Sequence, residues 1–104
     1  KGAICVWGAG AKGIMFCNIF DADNKWVNCL IDINPHKQGS FAAHTAHPIL
    51  APEEALKRYT IGSILVLNSN YIEEISKQLQ HNNSQLNIID FEEYLRKTQL
   101  ENIL

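Results

Sequence analysis

Three closely spaced glycines near the start of the chain are the strongest candidates for chemistry. Gly8, Gly10 and Gly13 form the pattern G-x-G-x-x-G between two apolar runs. In a strand-to-helix turn, the first glycine permits a tight turn and the second lets the backbone approach a diphosphate. The third lets helix and strand pack closely. The start of the helix then offers free N–H groups to a phosphate. The alternative is a tight turn that binds nothing.

Other polar residues lie where they can complete a phosphate site. Ala11 and Lys12 stand inside the glycine turn, and Lys12 offers a cation. Asp32 lies near the end of the second long apolar run, where an acid either accepts hydrogen bonds from ribose hydroxyls or caps the following loop. Asn34 lies within reach of a sugar or a 2′-phosphate. Asn68 follows a later apolar run, where it either contacts a base or sugar or caps a helix.

The pattern of apolar residues predicts the elements that position these side chains. Buried strands are predicted at 3–7, 26–33 and 64–67 and a fourth strand at 86–89, with a short extended segment at 47–50. Helices are predicted at 14–20, 52–59 and 71–80, and from Asp90, which forms a capping box with Glu93. Ser69 or Asn70 is expected to cap the third helix.

Alternating strands and helices predict an α/β fold, a three-layer Rossmann-like domain of about four parallel strands with helices on both faces. We expect the strand order 2-1-3-4. In an open parallel sheet, ligands bind beyond the carboxyl ends of the strands, where the strand order reverses. This order therefore brings the glycine turn and the polar loop at Asn68 to the same edge of the sheet.

Length, charge and composition restrict the class of protein. The 104 residues predict one domain over residues 1–104, and the net charge of −2 argues against a nucleic-acid partner. No run approaches the roughly 20 apolar residues that span a membrane. The chain begins with Lys1 and its single Met is Met15, so we expect a domain excised from a longer protein. Three widely spaced cysteines are typical of buried, reduced thiols in a cytoplasmic protein.

No catalytic arrangement is apparent from residue spacing. His36, His44 and His47 share one loop, but no cysteine or carboxylate completes a zinc set, so no metal site is expected. No nucleophile stands beside a base, and no paired carboxylates stand out. Val6 and Trp7 precede the first glycine, where a turn that binds S-adenosylmethionine usually has an acid. The methyl donor is therefore not the expected ligand of this turn.

Five runs of the sequence carry a family resemblance. They are VWGAGAKG at 6–13, IDINPHKQG at 31–39, HPI at 47–49, PEE at 52–54, and Asn70-Tyr71 with Glu74-Ile75. Together they resemble the C-terminal domain of sugar C-methyltransferases, over about residues 3–90. The resemblance implies a Rossmann-like accessory domain that follows an S-adenosylmethionine-dependent catalytic domain in the same chain. This accessory domain would bind or orient a nucleotide-linked sugar. The family often has a Pro-Gly turn before the HPI run, and here FAAHTA stands at 41–46.

Three functions remain open, of which the first is a nucleotide-sugar-binding accessory domain of a larger transferase. The second is an NAD(P)-binding domain of an oxidoreductase, which needs further strands beyond Leu104 because a dinucleotide site uses two mononucleotide halves. In both, the partner is a nucleotide-type small molecule. The third is a structural or subunit-contact domain, with Trp26, Leu100, Ile103 and Leu104 at its interface. We expect the domain to pack on another domain of its parent chain.

Overall fold

A parallel sheet with helices on both faces forms the protein. The computed structural model describes residues 2–80 and 86–98; Leu100, Ile103 and Leu104 lie outside the described residues. The strands are β1 (Ala3–Trp7), β2 (Cys29–Ile31), β3 (Ile49–Leu50), β4 (Ile61–Val66) and β5 (Asn87–Asp90). The helices are α1 (Ala11–Phe20), α2 (Pro52–Arg58), α3 (Ile72–Ile75) and α4 (Phe91–Thr98). A 3₁₀ turn (Ser69–Tyr71) precedes α3, and a π-helical turn (Ser76–Gln80) follows it.

The strand order is β3-β2-β1-β4-β5, with every pair parallel. This confirms the three-layer α/β class and the predicted order of the four long apolar runs. It adds a fifth strand, because the extended segment at 47–50 pairs with the edge of β2 through Ile49 and Leu50. The strand order reverses at β1, between β2 and β4, so the edge beyond β1 is the place where such sheets bind ligands.

The register aligns the carboxyl ends of the strands. Trp7 lies opposite both Ile31 and Val66, and Val66 lies opposite Asp90. The residue after each of these ends therefore emerges at the same level of the sheet. As a result, the glycine turn, Asp32 and the loop after β4 meet at one edge.

Side chains alternate between two buried layers along each strand. One layer packs against α2 and α3, and includes Cys5, Ile31 and Val66. The opposite layer packs against α1 and α4, and includes Val6 and Leu30. Both faces of the central strands are therefore covered by helices, which explains why their sequences are continuously apolar rather than alternating.

The three cysteines are free and buried. The Sγ atoms of Cys5 and Cys29 lie 3.3 Å apart across β1 and β2. The hydrogen bond with Cys29, together with burial, raises the pKa of the Cys5 thiol. Burial, helped by the charge of Asp21, raises the pKa of Cys17 to about 11. Because nucleophilic cysteines need an accessible thiolate, Cys5 and Cys17 are core residues rather than reactive ones.

The second strand is shorter than the predicted 26–33 because Asp21, just after α1, captures the segment before it. Its carboxylate accepts hydrogen bonds from the backbone N–H groups of Lys25 at 2.8 Å, Trp26 at 3.2 Å and Val27 at 2.9 Å. These N–H groups are directed toward the end of α1 instead of a neighbouring strand. Regular pairing with β1 begins only at Cys29.

His47 joins this carboxylate to the loop before β3. Its Nε2 lies 2.8 Å from Oδ2 of Asp21, and its Nδ1 lies 2.6 Å from Oγ1 of Thr45. All three residues are buried, with His47 at 0% exposure, so the arrangement is structural and closed to a substrate. Burial raises the pKa of Asp21, but hydrogen bonds from His47 and three backbone N–H groups outweigh it and hold that pKa below its ordinary value.

We expect Asp21→Asn to lower the free energy of unfolding by about 2–3 kcal/mol at pH 7, because a buried charge-assisted network loses its acceptor. The folded-state pKa of Asp21 lies below the unfolded value of about 3.9, so this stabilisation is present above pH 4 and is lost as the pH falls below it. Urea unfolding at pH 7, 5, 4 and 3 measures both effects. The difference in unfolding free energy between wild type and Asp21→Asn should become smaller in acid.

The control is Asp23→Asn, at an exposed position, which should differ little from wild type at any pH. A free-energy difference for Asp21→Asn that is the same at every pH would contradict this account.

Candidate functional site

Two of the three turn glycines are required by the fold. Gly8 has a φ of +107°, a conformation that L side chains rarely adopt, and its N–H donates to the carbonyl oxygen of Ile31 at 2.6 Å. Gly13 is buried in the first turn of α1, which begins at Ala11. A Cβ at Gly13 would overlap the carbonyl oxygen of Gly8 and come within 3.2 Å of Leu30. Gly8 and Gly13 therefore allow the end of β1 and the start of α1 to lie in direct backbone contact.

Gly10 has no such structural requirement. Its φ of −79° and ψ of −166° are extended values that any residue adopts, and it precedes the first turn of α1. A Cβ placed there would meet no atom of the described residues within 4 Å. A serine or aspartate at this position would also cap the helix better than glycine does. The missing side chain at Gly10 leaves open space in front of the start of α1.

Asp32 clamps the glycine turn. Its Oδ2 accepts the N–H of Ala9 at 2.8 Å, and its Oδ1 accepts the N–H of Asn34 at 2.8 Å. From the other side, the Lys37 ammonium donates to the carbonyl oxygen of Ala9 at 3.3 Å. Gln38 donates its side-chain N–H to the carbonyl oxygen of Asp32 at 2.8 Å. The segment after β2 therefore holds the turn by both backbone polar groups of one residue, Ala9, and each Asp32 oxygen keeps one further lone pair.

A cavity of about 460 Å³ opens at this edge, which is within the usual range for small-molecule sites. The glycine turn forms one side through Gly8, Gly10, Ala11, Lys12 and Gly13, the end of β2 adds Asp32 and Ile33, and the segment after β4 adds Leu67, Asn68, Tyr71 and Glu74. Trp7, at the end of β1, lines the same cavity. The cavity therefore lies where the strand order reverses.

The loop after β4 is held rigidly beside the cavity. Asn68 caps the 3₁₀ turn, because its Oδ1 accepts the N–H of Asn70 at 3.0 Å. The N-cap of α3 is Tyr71, which makes no side-chain capping bond, so the predicted cap at Ser69 or Asn70 is wrong, and Asn68 instead caps the preceding turn, one of its two expected roles. Ser69 donates its N–H to Glu92 and its hydroxyl to Asp90, each at 2.7 Å. The start of α4 thus fixes the loop, and the side-chain N–H groups of Asn68 remain available as donors.

Lys12 supplies the positive charge of the cavity. It is exposed, and it is the one Lys or Arg among the described residues that line the cavity. The N–H bond from Ser69 and the nearby ammonium of Lys12 hold the pKa of Glu92 below its ordinary value, although burial opposes the shift. Glu74, on the opposite wall, is exposed and makes no hydrogen bond or ion pair with a described residue.

Seven of the eight residues singled out from the sequence line this cavity: Gly8, Gly10, Ala11, Lys12, Gly13, Asp32 and Asn68. Asn34 does not; its Oδ1 accepts the N–H of His36 and shapes the turn after β2. Sequence reasoning missed the apolar walls at Trp7, Ile33 and Leu67, and also Tyr71 and Glu74. Trp7, Ile33 and Leu67 had a signal in their position, since each lies at or just beyond the carboxyl end of a strand, whereas Tyr71 in the 3₁₀ turn and Glu74 in α3 had none.

The described part of the chain contains neither a metal-ligating cluster nor a membrane-spanning helix. Within residues 2–80 and 86–98, no group of three or more His, Cys, Asp or Glu side chains is placed to hold a metal ion. No helix in the described part of the chain is long and apolar enough to cross a bilayer.

The sheet order, the glycine turn and the cavity beyond it define a Rossmann-like α/β domain with its candidate site at the switch in strand order. Comparison with protein families gives a more specific assignment. The chain belongs to the family described as the C-methyltransferase C-terminal domain, whose model matches residues 1–88. This membership indicates an accessory domain of a methyltransferase. Searches of curated proteins and of solved structures found no match.

We expect Gly13→Ala to lower the free energy of unfolding by about 1–3 kcal/mol, because the added methyl forces β1 and α1 apart. Gly10→Ala is the matched control and should change it by less than about 1 kcal/mol. Chemical denaturation followed by circular dichroism measures both. Equal losses in the two variants would contradict the distinct roles assigned to these glycines.

We expect Asp32→Asn to destabilise the ligand-free protein by about 1–3 kcal/mol, because the side-chain NH₂ of asparagine cannot accept a hydrogen bond and one of the two backbone N–H groups loses its acceptor. Glu74→Gln lies in the same cavity and should leave the unfolding free energy unchanged. Thermal melting without ligand distinguishes the two. An unchanged midpoint for Asp32→Asn would mean that the carboxylate does not hold the turn in solution.

Proposed function

We propose that this domain binds the nucleotide-linked sugar of an S-adenosylmethionine-dependent C-methyltransferase. The diphosphate lies against the glycine turn, and the sugar lies in the cavity beyond it. The domain's contribution is to hold and orient the substrate for a catalytic site elsewhere in the parent protein. The methyl donor is bound there too, since the turn in this domain lacks the acid that usually precedes such a site.

The observation that carries this proposal is the bare backbone at Gly10. Gly8 and Gly13 are explained by the packing of β1 on α1, but Gly10 is required neither by conformation nor by packing. A glycine there does have a use if a ligand approaches the helix start, because any side chain would project into the open space that the ligand needs.

The charge at the start of α1 also favours an anion. The first-turn N–H groups of Ala11, Lys12 and Gly13 have no partner within the helix, and they carry the positive end of its dipole. In α2 and α4, two glutamates of the helix itself offset this charge, whereas the first turn of α1, which is fully described, contains Lys12 and no acid. A diphosphate would supply the missing negative charge.

The remaining walls suit the uncharged parts of such a ligand. Trp7, Ile33 and Leu67 present apolar surface, while Asn68 and Glu74 present polar groups to hydroxyls. Asp32 lines the same space, and each of its oxygens has one lone pair beyond the bond it already accepts, so this residue can both clamp the turn and accept from a hydroxyl. Few polar groups on an apolar wall are typical of sites that orient a small ligand.

We expect UDP- or dTDP-sugars to raise the melting temperature of this chain, and NAD, NADP and S-adenosylmethionine to leave it unchanged. A ligand at 100 times its dissociation constant adds about 2.7 kcal/mol, and each 1 kcal/mol raises the midpoint of a domain this size by roughly 4–8 °C. Gly10→Val should keep the ligand-free midpoint and lose the shift, because its side chain fills the phosphate position. Lys12→Gln should reduce the shift.

Two outcomes would contradict the proposal. A shift with NAD alone would assign the turn to a dinucleotide. A nucleotide-sugar shift that survives Gly10→Val would place the ligand away from the glycine turn.

A further inference from the structure

We infer that a second hollow at the same edge of the sheet is the subsite for the base of the nucleotide. This inference rests on the function proposed above, because it assumes that the phosphates of the ligand lie at the glycine turn. It divides the ligand between two spaces: the base occupies the second hollow, and the sugar stays in the first cavity.

The second hollow adjoins the first cavity at Ile33. It has a volume of about 440 Å³ and lies between α2 and the π-helical turn that follows α3. Ile33 lines both spaces, and the residue is 56% exposed although it directly follows Asp32 at the end of the sheet. An isoleucine exposed between two hollows gives an extended ligand an apolar surface to cross from one hollow to the other.

Apolar side chains make the floor of this hollow suitable for a flat ring. Ile33 contributes from β2, Leu56 and Pro52 from α2, and Leu79 from the π-helical turn. Leu79 and Leu56 are also part of the core, or packed against it, so the floor is rigid. Leu79 is only 1% exposed, so Ile33, Pro52 and Leu56 provide the aliphatic surface on which a planar base can lay one face.

Two side-chain amides border the floor. Gln38 donates its N–H to the carbonyl oxygen of Asp32 at 2.8 Å, which fixes the amide and leaves its own oxygen as an acceptor. Gln78, on the opposite border, is exposed and offers both a donor and an acceptor. The edge of a pyrimidine such as uracil carries N–H and C=O groups side by side, and amides complement this arrangement.

The positive groups at the two hollows set the direction of the ligand. The first cavity also contains the carboxylates of Asp32 and Glu74, but Asp32 is engaged by two backbone N–H groups, and only this cavity has a cation, Lys12, beside the start of α1 among its described lining residues. The second hollow has the carboxylate of Glu53 on its border, and none of the described residues that line it is a Lys or Arg. Phosphate is therefore disfavoured in the second hollow, while an uncharged ring with N–H donors is accepted there.

Binding of UDP, uridine and inorganic pyrophosphate to the whole chain tests this inference by calorimetry and NMR. We expect Gln78→Ala to weaken UDP binding by roughly three- to tenfold and to leave pyrophosphate binding unchanged, since one hydrogen bond to the base is lost. Lys77→Ala, one residue away, should leave the ratio of the two affinities unchanged. With methyl-labelled protein, protons of the uracil ring should show NOEs to Leu56 and Ile33.

The outcomes separate the inference from the proposed function. Pyrophosphate has no base, so the loss of its binding in Gly10→Val tests the glycine turn alone. Uridine has no phosphate, so its binding tests the second hollow alone. NOEs from the uracil ring to Leu67 or Tyr71 instead of Leu56 would overturn the inference, because the base would then occupy the first cavity. An unchanged ratio of UDP to pyrophosphate affinity in Gln78→Ala would overturn it as well.

Discussion

The contact between the carbonyl oxygen of Gly8 and the backbone at Gly13 is the constraint on which the rest of the structure depends. It allows β1 to end and α1 to begin with almost no space between them. Asp32 then fixes the intervening peptide from the neighbouring strand. The position of α1, the direction of its first-turn N–H groups and the mouth of the cavity all follow from this close approach. Any side chain at Gly13 changes all three together.

The same short segments stabilise the fold and line the candidate site. The run after β2 supplies Asp32, Lys37 and Gln38, and each of them makes a hydrogen bond that holds the turn or its support. This run and the glycine turn are two of the five runs that carry the resemblance to C-methyltransferase C-terminal domains. The structure shows that the two motifs are one physical unit, because the second braces the first.

Most of the fold could be predicted from the sequence, and the exceptions have identifiable causes. Continuous apolar runs located β1 and β4 because helices cover both faces of these central strands, and the run at 86–89 located the partly buried edge strand β5. The strand predicted at 26–33 was too long, because an apolar run does not reveal that Asp21 accepts hydrogen bonds from the N–H groups of Trp26 and Val27. Strand β3 has only two residues, too few for a periodic signal. Local patterns located the glycine turn, but the cavity walls at Tyr71 and Glu74 depend on register between distant strands.

The two tryptophans lie in environments that differ in a useful way. Trp7 lines the candidate site at the carboxyl end of β1, whereas Trp26 packs edge-on against the ring of Phe16 and donates its indole N–H to the carbonyl oxygen of Phe20. A ligand in the candidate site would change the surroundings of Trp7, and loosening of the aromatic layer would change those of Trp26. The fluorescence of Trp7 would therefore report ligand binding, and the fluorescence of Trp26 would report the packing of the aromatic layer. Replacing either with phenylalanine isolates the emission of the other.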